Sequence, residues 1–337
     1  MVVTANIVSG LLVGLAFGIA LQRGRFCFNS AFRDTLLFRD YTIIKAIGVA
    51  IAIEMVGFQL LSDLGIVELF PRGLYWGANI LGGFMFGVGM VLAGGCISGS
   101  TYRTGEGMVG SMLALAGIAV GGALTLDYSL APIKDAFQTA TEIKINGRIP
   151  TVPLLFGVSP WVIIVPVFIL FLFLAQRSYR RERQAKHDPI SLFGRGWPWW
   201  FGGIIVGLLA VISYPVVEAA GETVPLAMTG GYVGILAAIV YRNLAFIGWY
   251  QAMVIGAVLG AAFAAALAHE WKLRAPPAKM LAQSLVGGLV MGVGAVLGDG
   301  CNITTILIGV PLFSLGGILA GTFTILGCWT AAYIMFG

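Results

Sequence analysis

Charge is scarce in this 337-residue chain: Asp, Glu, Lys and Arg together make up 10% of it, against about 25% in an average soluble domain. A soluble enzyme is therefore not expected. Histidine is scarcer still, with only His187 and His269, both in expected loops, and the four cysteines include no Cys-X-X-Cys pair. A zinc or iron–sulfur site lacks ligands, so neither metal nor cofactor is expected. No Gly-Lys-Ser or Gly-Lys-Thr occurs, which excludes a phosphate-binding loop and ATP-driven work by this chain alone. No basic run precedes the first apolar block, so a cleaved signal peptide is not expected.

What the chain has instead is apolar residues, 58% of the total, with 48 glycines and a mean hydropathy of +0.93. They gather in blocks at about 7–21, 42–61, 77–97, 108–126, 154–175, 199–217, 226–241, 247–268, 282–298 and 304–336, the last with a bend. Most approach the roughly 20 residues that a helix needs to cross a hydrocarbon core. The expected fold is an all-α polytopic membrane protein of about nine transmembrane helices with short re-entrant ones, set in a lipid bilayer. Its net charge of +5 is spread through loops, so no nucleic-acid partner is expected. One loop, 176–196, holds Arg177, Arg180, Arg181, Arg183, Lys186 and Arg195 against Glu182 and Asp188. By the positive-inside rule it is cytoplasmic. The loop at 127–153 is less cationic and suits the opposite side.

The basic loop divides two copies of one pattern. LGGFMFGVGMVLAGGC at 81–96 and VGGLVMGVGAVLGDGC at 286–301 agree at more than half their positions at a constant offset of 205, and GLLVGL at 10–15 is echoed by GIIVGL at 203–208. The expected units are a first membrane repeat at 1–175, the basic loop at 176–196 and a second repeat at 197–337. Five crossings before the loop make the second repeat inverted, provided that 226–241 enters and leaves on one side. The broken segment EAAGETVPLAMTG at 218–230 supports that proviso, because it is unfit for lipid contact. This arrangement puts the N-terminus in the periplasm and the C-terminus in the cytoplasm.

Each copy ends an apolar helix in glycines and a cysteine, then resumes after a polar patch: GGCISGST at 94–101 and GDGCNITT at 298–305. An unwound backbone at membrane depth lines a cavity or packs inside protein, and its free N–H groups suit an anion. The two breaks are expected to meet near the midplane. Gly95, Cys96, Ser98, Gly300, Cys301, Asn302 and Thr304 are the candidates there. Cys27 follows the first block beside Arg23 and Arg25, whose charge can draw an anion to the same mouth. Cys328 has no counterpart in the other copy and reads as a buried apolar residue. Glu54 and Asp299 fall within apolar blocks, where a carboxylate is a candidate for proton exchange or gating. An ionised Asp299 would repel an anion beside Cys301 unless it is protonated, turned away or paired with an arginine.

LQRGRFCFNSAFRD at 21–34, LAGGCISGSTYRTGEG at 92–107 and GCNI at 300–303 resemble the YeeE/YedE family of bacterial inner-membrane sulfur transporters, closely its thiosulfate transporters, over nearly the whole chain. The resemblance implies an hourglass-shaped bundle with an internal pseudo-twofold axis. It implies import of thiosulfate past three functional cysteines, here Cys27, Cys96 and Cys301, and TusA-like sulfur-carrier proteins as cytoplasmic partners. The order expected from topology is Cys96, then Cys301, then Cys27. One departure concerns cargo: GDGCNITT stands where the family usually has Gly-Gly-Cys followed by Asn-Ile-Gly-His. Sulfide, polysulfide or a selenium species is the alternative on the same fold. A membrane thiol–disulfide oxidoreductase cycling Cys96 and Cys301 is the alternative from another class.

Overall fold

In a computed structural model that describes residues 2–182, 193 and 196–336, the regular structure is helical and only isolated bridges join extended residues. The helices are α1 (Val2–Arg23), α2 (Phe28–Leu37), α3 (Thr42–Asp63), α4 (Trp76–Leu92), α5 (Ile97–Gly105), α6 (Val109–Leu126) and α7 (Ala131–Thr141). They continue as α8 (Val152–Phe156), α9 (Trp161–Glu182), α10 (Trp199–Ala219), α11 (Met228–Val240), α12 (Trp249–Leu267), α13 (Ala278–Leu297) and α14 (Leu315–Phe336). Nine apolar segments among the described residues are long enough to cross a bilayer, so the chain is a multi-pass membrane protein. α11, at 13 residues, extends only about 20 Å at 1.5 Å per residue.

Three expectations change in detail. The last block is not one bent helix: a six-residue π-helical turn, Ile303–Ile308, precedes α14. The expected loop at 127–153 contains α7, whose entry is favoured by a proline in its first turn. The basic loop begins later than expected, because α9 runs on to Glu182. Arg183, Lys186, His187, Asp188 and Arg195 lie outside the described residues.

Glycine sets how closely these helices pack. Cβ atoms on Gly10, Gly14 and Gly18 of α1 would strike the carbonyl oxygens of Trp249, Met253 and Ala257 in turn, so α1 and α12 run side by side in the same direction. Gly256 and Gly260 of α12 reciprocate against Leu11 and Leu15. Small residues at four-residue spacing allow this backbone approach where lipid provides no hydrophobic drive between helices. Gly82 meets Gly294 and Gly298, and Gly89 meets Gly287, so α4 and α13 cross in opposite directions. The most extensive pairings are α1 with α12, α6 with α13, α4 with α14, α4 with α13, and α3 with α10. Every one joins the first half of the chain to the second.

Both ends of α13 are charged. Near its start, Arg274 N–H bonds to the Gly107 carbonyl and Lys272 N–H to that of Glu106. Beyond its finish, Asp299 pairs with Arg72. Twenty residues of helix separate these ends by about 30 Å.

Candidate functional site

The thiols sit where helices stop. α4 ends at Leu92, Gly94 takes a left-handed φ of +72°, and Cys96 caps the N-terminus of α5 with extended backbone. Its sulfur accepts Gly99 N–H at 3.3 Å and Phe28 N–H, from the first residue of α2, at 3.2 Å. Cys27 is in turn the N-cap of α2. Two helix N-termini therefore converge on one pair of sulfurs, with Cys27 Sγ and Cys96 Sγ 3.6 Å apart. Ser98 Oγ donates to the Phe26 carbonyl at 3.3 Å and lies 3.1 Å from Cys96 Sγ, so its oxygen can accept a hydrogen bond from the Cys96 thiol. Cys27, Cys96 and Ser98 are fully buried. Gly99 is required by close approach, since a Cβ there would lie 2.5 Å from Cys27 Sγ.

Cys301 occupies the second break, between Gly300 at φ +146° and the π-helical turn. Thr304 Oγ1 donates to the Cys301 carbonyl at 2.9 Å and lies 3.7 Å from its sulfur. Asn302 Nδ2 reaches Met90 Sδ at 3.9 Å, and its buried Oδ1 has no hydrogen-bond partner. The expected order interposes Cys301 between Cys96 and Cys27, whereas those two sulfurs touch directly. Gly95 lies against Arg103, whose Nη1 donates to the Gly94 carbonyl at 2.6 Å and straps the first break in place.

Arg23 and Arg25 are near Cys27 as expected, but they are not a free cationic mouth. Arg25 pairs with Glu106 at 2.6 Å and Glu270 at 2.9 Å, and the fully buried Arg23 reaches Glu270 at 3.5 Å. Gln22 Nε2 donates to both carboxylates, at 3.0 and 2.7 Å. Glu106 and Glu270 belong to the loops after α5 and α12, so this network ties three chain segments together. Burial raises the affinity of Glu270 for a proton, but the Gln22 hydrogen bond and the charges of Arg25 and Arg23 outweigh it and hold the carboxyl below its usual range.

Asp299, expected to need protonation, withdrawal or an arginine, has the arginine. The Arg72 guanidinium pairs with one carboxylate oxygen, Gly73 N–H donates to the other at 2.9 Å, and Arg72 Nε donates to the Asp299 carbonyl at 3.0 Å. The pair lines a 210 Å³ cavity with Gly300, Thr304, Thr229 and Tyr250. Arg72 was missed in the sequence because its loop has no periodic signal, and Arg103 because nothing in its spacing links it to Gly94. Glu54 on α3 is fully buried, and neither carboxylate oxygen has a hydrogen-bond partner. Cys328 lies against Asn29 Oδ1 at 3.7 Å. Among the described residues no cluster of His, Cys, Asp and Glu is arranged to hold a metal. The site offers thiols and backbone donors, which suit a soft, negatively charged ligand.

The sequence matches known proteins along nearly its whole length. Residues 23–330 match the Sulphur transport family. The chain is 38% identical to the thiosulfate transporter TsuA of Spirochaeta thermophila, over 97% of this chain and 98% of that protein. It is 29% identical to the thiosulfate transporter TsuA of Escherichia coli K12, over 98% of this chain and 95% of the relative. A shorter match of 39% identity to the probable transporter YedE of the same organism spans 29% of this chain and 24% of that one. With membrane-crossing helices throughout and a family match over nearly its whole length, the chain belongs to the Sulphur transport family.

Proposed function

We propose that this protein imports thiosulfate across the bacterial inner membrane through a non-covalent relay of Cys27, Cys96 and Cys301. The observation that carries the reading is the Cys27–Cys96 contact at the meeting of two helix N-termini. Thiosulfate has a soft terminal sulfur that accepts S–H donors, while its sulfonate oxygens accept backbone N–H groups. Successive weak sites favour passage, because a site that binds too tightly does not release. The names of the full-length relatives agree with this cargo.

The N-terminus faces the periplasm and the C-terminus the cytoplasm in this reading, which puts the basic segment at 176–196 inside. The Arg25–Glu106–Glu270 network then closes the cytoplasmic end and the Arg72–Asp299 pair the periplasmic end. A TusA-like sulfur-carrier protein receives the imported sulfur. The two repeats, 1–175 and 197–337, form the two sides of the pathway, and Gly95, Ser98, Gly300, Asn302 and Thr304 shape its narrowest part.

The test is growth on thiosulfate as the only sulfur source in a bacterium without its own sulfate and thiosulfate importers. The native gene should support growth and Cys96→Ala should not, although both proteins reach the membrane. Undiminished growth with Cys96→Ala would sink the relay. Mass spectrometry during turnover separates it from a thiol–disulfide enzyme, which must accumulate an oxidised cysteine pair.

A further inference from the structure

The geometry points to Arg72 and the Gly73 N–H as the first oxyanion seat of the pathway, with the Asp299 carboxylate as a tethered competitor that an entering ion must displace. The inference rests on the transport reading and deepens it by assigning a site for the sulfonate end of the cargo. Asp299 offers one oxygen to the Arg72 guanidinium and the other to Gly73 N–H. Two oxygens on one central atom is also what a sulfonate presents, and an arginine fork beside a backbone donor recognises that shape. A built-in carboxylate thus occupies a seat that fits the ion.

The first repeat shows that the turn does not need this carboxylate. At the offset of 205, Asp299 corresponds to Gly94. Both residues are left-handed, with φ of +64° and +72°, and each gives its carbonyl to an arginine: Asp299 to Arg72 Nε at 3.0 Å, Gly94 to Arg103 Nη1 at 2.6 Å. Glycine makes the turn without strain, whereas a side chain there is disfavoured and persists only where its surroundings hold it. The Asp299 side chain therefore serves something other than the backbone break.

Its surroundings are those of an entrance. The side chains of Arg72 and Asp299 are 18% and 23% exposed, so the pair is neither sealed in protein nor immersed in bulk water. The cavity that they line measures 210 Å³, against roughly 30 Å³ for one water, which leaves room for a partly hydrated oxyanion. Thr304 lines the same cavity and lies within reach of Cys301 Sγ at 3.7 Å. An ion that swings Asp299 away from Arg72 is already beside the residue that touches the thiol. The latch discriminates by the number of oxygens offered: hydrosulfide cannot replace both contacts of the carboxylate, whereas thiosulfate and sulfate can.

The experiment is uptake of radiolabelled thiosulfate by proteoliposomes containing the wild type, Asp299→Gly, Asp299→Asn, Arg72→Gln or the Arg72→Gln/Asp299→Gly double variant, with sulfate as competitor. Removing the competing carboxylate should lower KM at least about threefold, the size expected of a partly exposed ion pair, and make sulfate a stronger inhibitor. Arg72→Gln should raise KM whether residue 299 is Asp or Gly. Asp299→Asn keeps the shape without the charge, so it gives the same direction should the glycine variant fail to fold. An unchanged KM and sulfate sensitivity in both Asp299 variants overturns the inference, as does a loss of uptake in them equal to that of Arg72→Gln and no greater in the double variant, which marks a structural brace. If the wild type takes up no thiosulfate, the transport reading fails by itself. The seat is then judged by whether thiosulfate or sulfate raises the Tm of Asp299→Gly but not of the double variant; no rise in Asp299→Gly overturns it.

Discussion

Replacing Gly99 by alanine should jam the cysteine pair while leaving the protein folded. A Cβ on Gly99 would stand 2.5 Å from Cys27 Sγ, 3.2 Å from Cys27 Cβ and 3.6 Å from Cys96 Sγ. The first of these lies far inside van der Waals contact, and the sulfur that must yield is fully buried. Overpacking of this kind costs about 1–3 kcal/mol. The better helix propensity of alanine in α5 returns about 1 kcal/mol, so the net loss is about 0–2 kcal/mol. Thiosulfate uptake should fall much further than stability, because the clash is relieved only by moving one thiol away from the other. Gly110→Ala is the matched control, since its Cβ would meet Ser284 Oγ at 3.4 Å, an ordinary contact. In a Cys27→Ala/Gly99→Ala variant the obstructing sulfur is gone, so the two stability losses should fail to add by about 1 kcal/mol or more. Unfolding of the purified proteins in detergent, with uptake by proteoliposomes alongside, reads both effects. Strict additivity together with wild-type uptake by Gly99→Ala would refute the reasoning, because Cys27 Sγ would then not lie where the clash requires.

Glu270 should make the closed end of the bundle sensitive to acid. Its carboxyl is held below the usual range, so its contribution to stability is present above the unfolded-state value of about 4.3 and is lost as pH falls through the lower folded value; Glu270→Gln should flatten the dependence of Tm on pH across that window. Gly14→Leu should separate α1 from α12, because its Cβ alone would run into the Met253 carbonyl, which as backbone cannot step aside; the yield of folded protein in the membrane should drop sharply, while Gly230→Ala, with nothing within 4 Å, should match the wild type. Cys328→Ser should retain growth on thiosulfate, since the Cys328 thiol lies against Asn29 Oδ1, to which a serine hydroxyl can also donate; loss of growth with normal protein levels would place it in the pathway.

Membrane crossings were legible because lipid demands long apolar runs, and the blocks at 42–61 and 199–217 return as α3 and α10 with their ends moved by only a few residues. The helix breaks were legible from the repeated glycines and cysteines. Helix α7 was not, because a short amphipathic helix between polar turns lacks the length that marks a span. Partnership across the fold was the least visible. Nothing in the 68 residues between Cys27 and Cys96 announces that their sulfurs touch, since the contact depends on how α2 and α5 are aimed by the packing of α1 and α4. The charges near Cys27 were visible, but the carboxylates that neutralise them come from Glu106 and Glu270, far along the chain. Asp299 was recognised as discordant from its own motif, while its partner Arg72 had to come from three-dimensional proximity.

That each of the most extensive helix pairings joins one half of the chain to the other has a consequence for how the protein is made. While the ribosome is still synthesising the first half, α1 and α6 carry glycine-lined faces whose partners, α12 and α13, do not yet exist. Those faces must wait in lipid or on an insertion factor until the second half arrives. A chain cut within the basic segment at 176–196 should accordingly yield two fragments that are each degraded when made alone and that protect one another when made together, a result read directly from their lifetimes in a pulse–chase experiment.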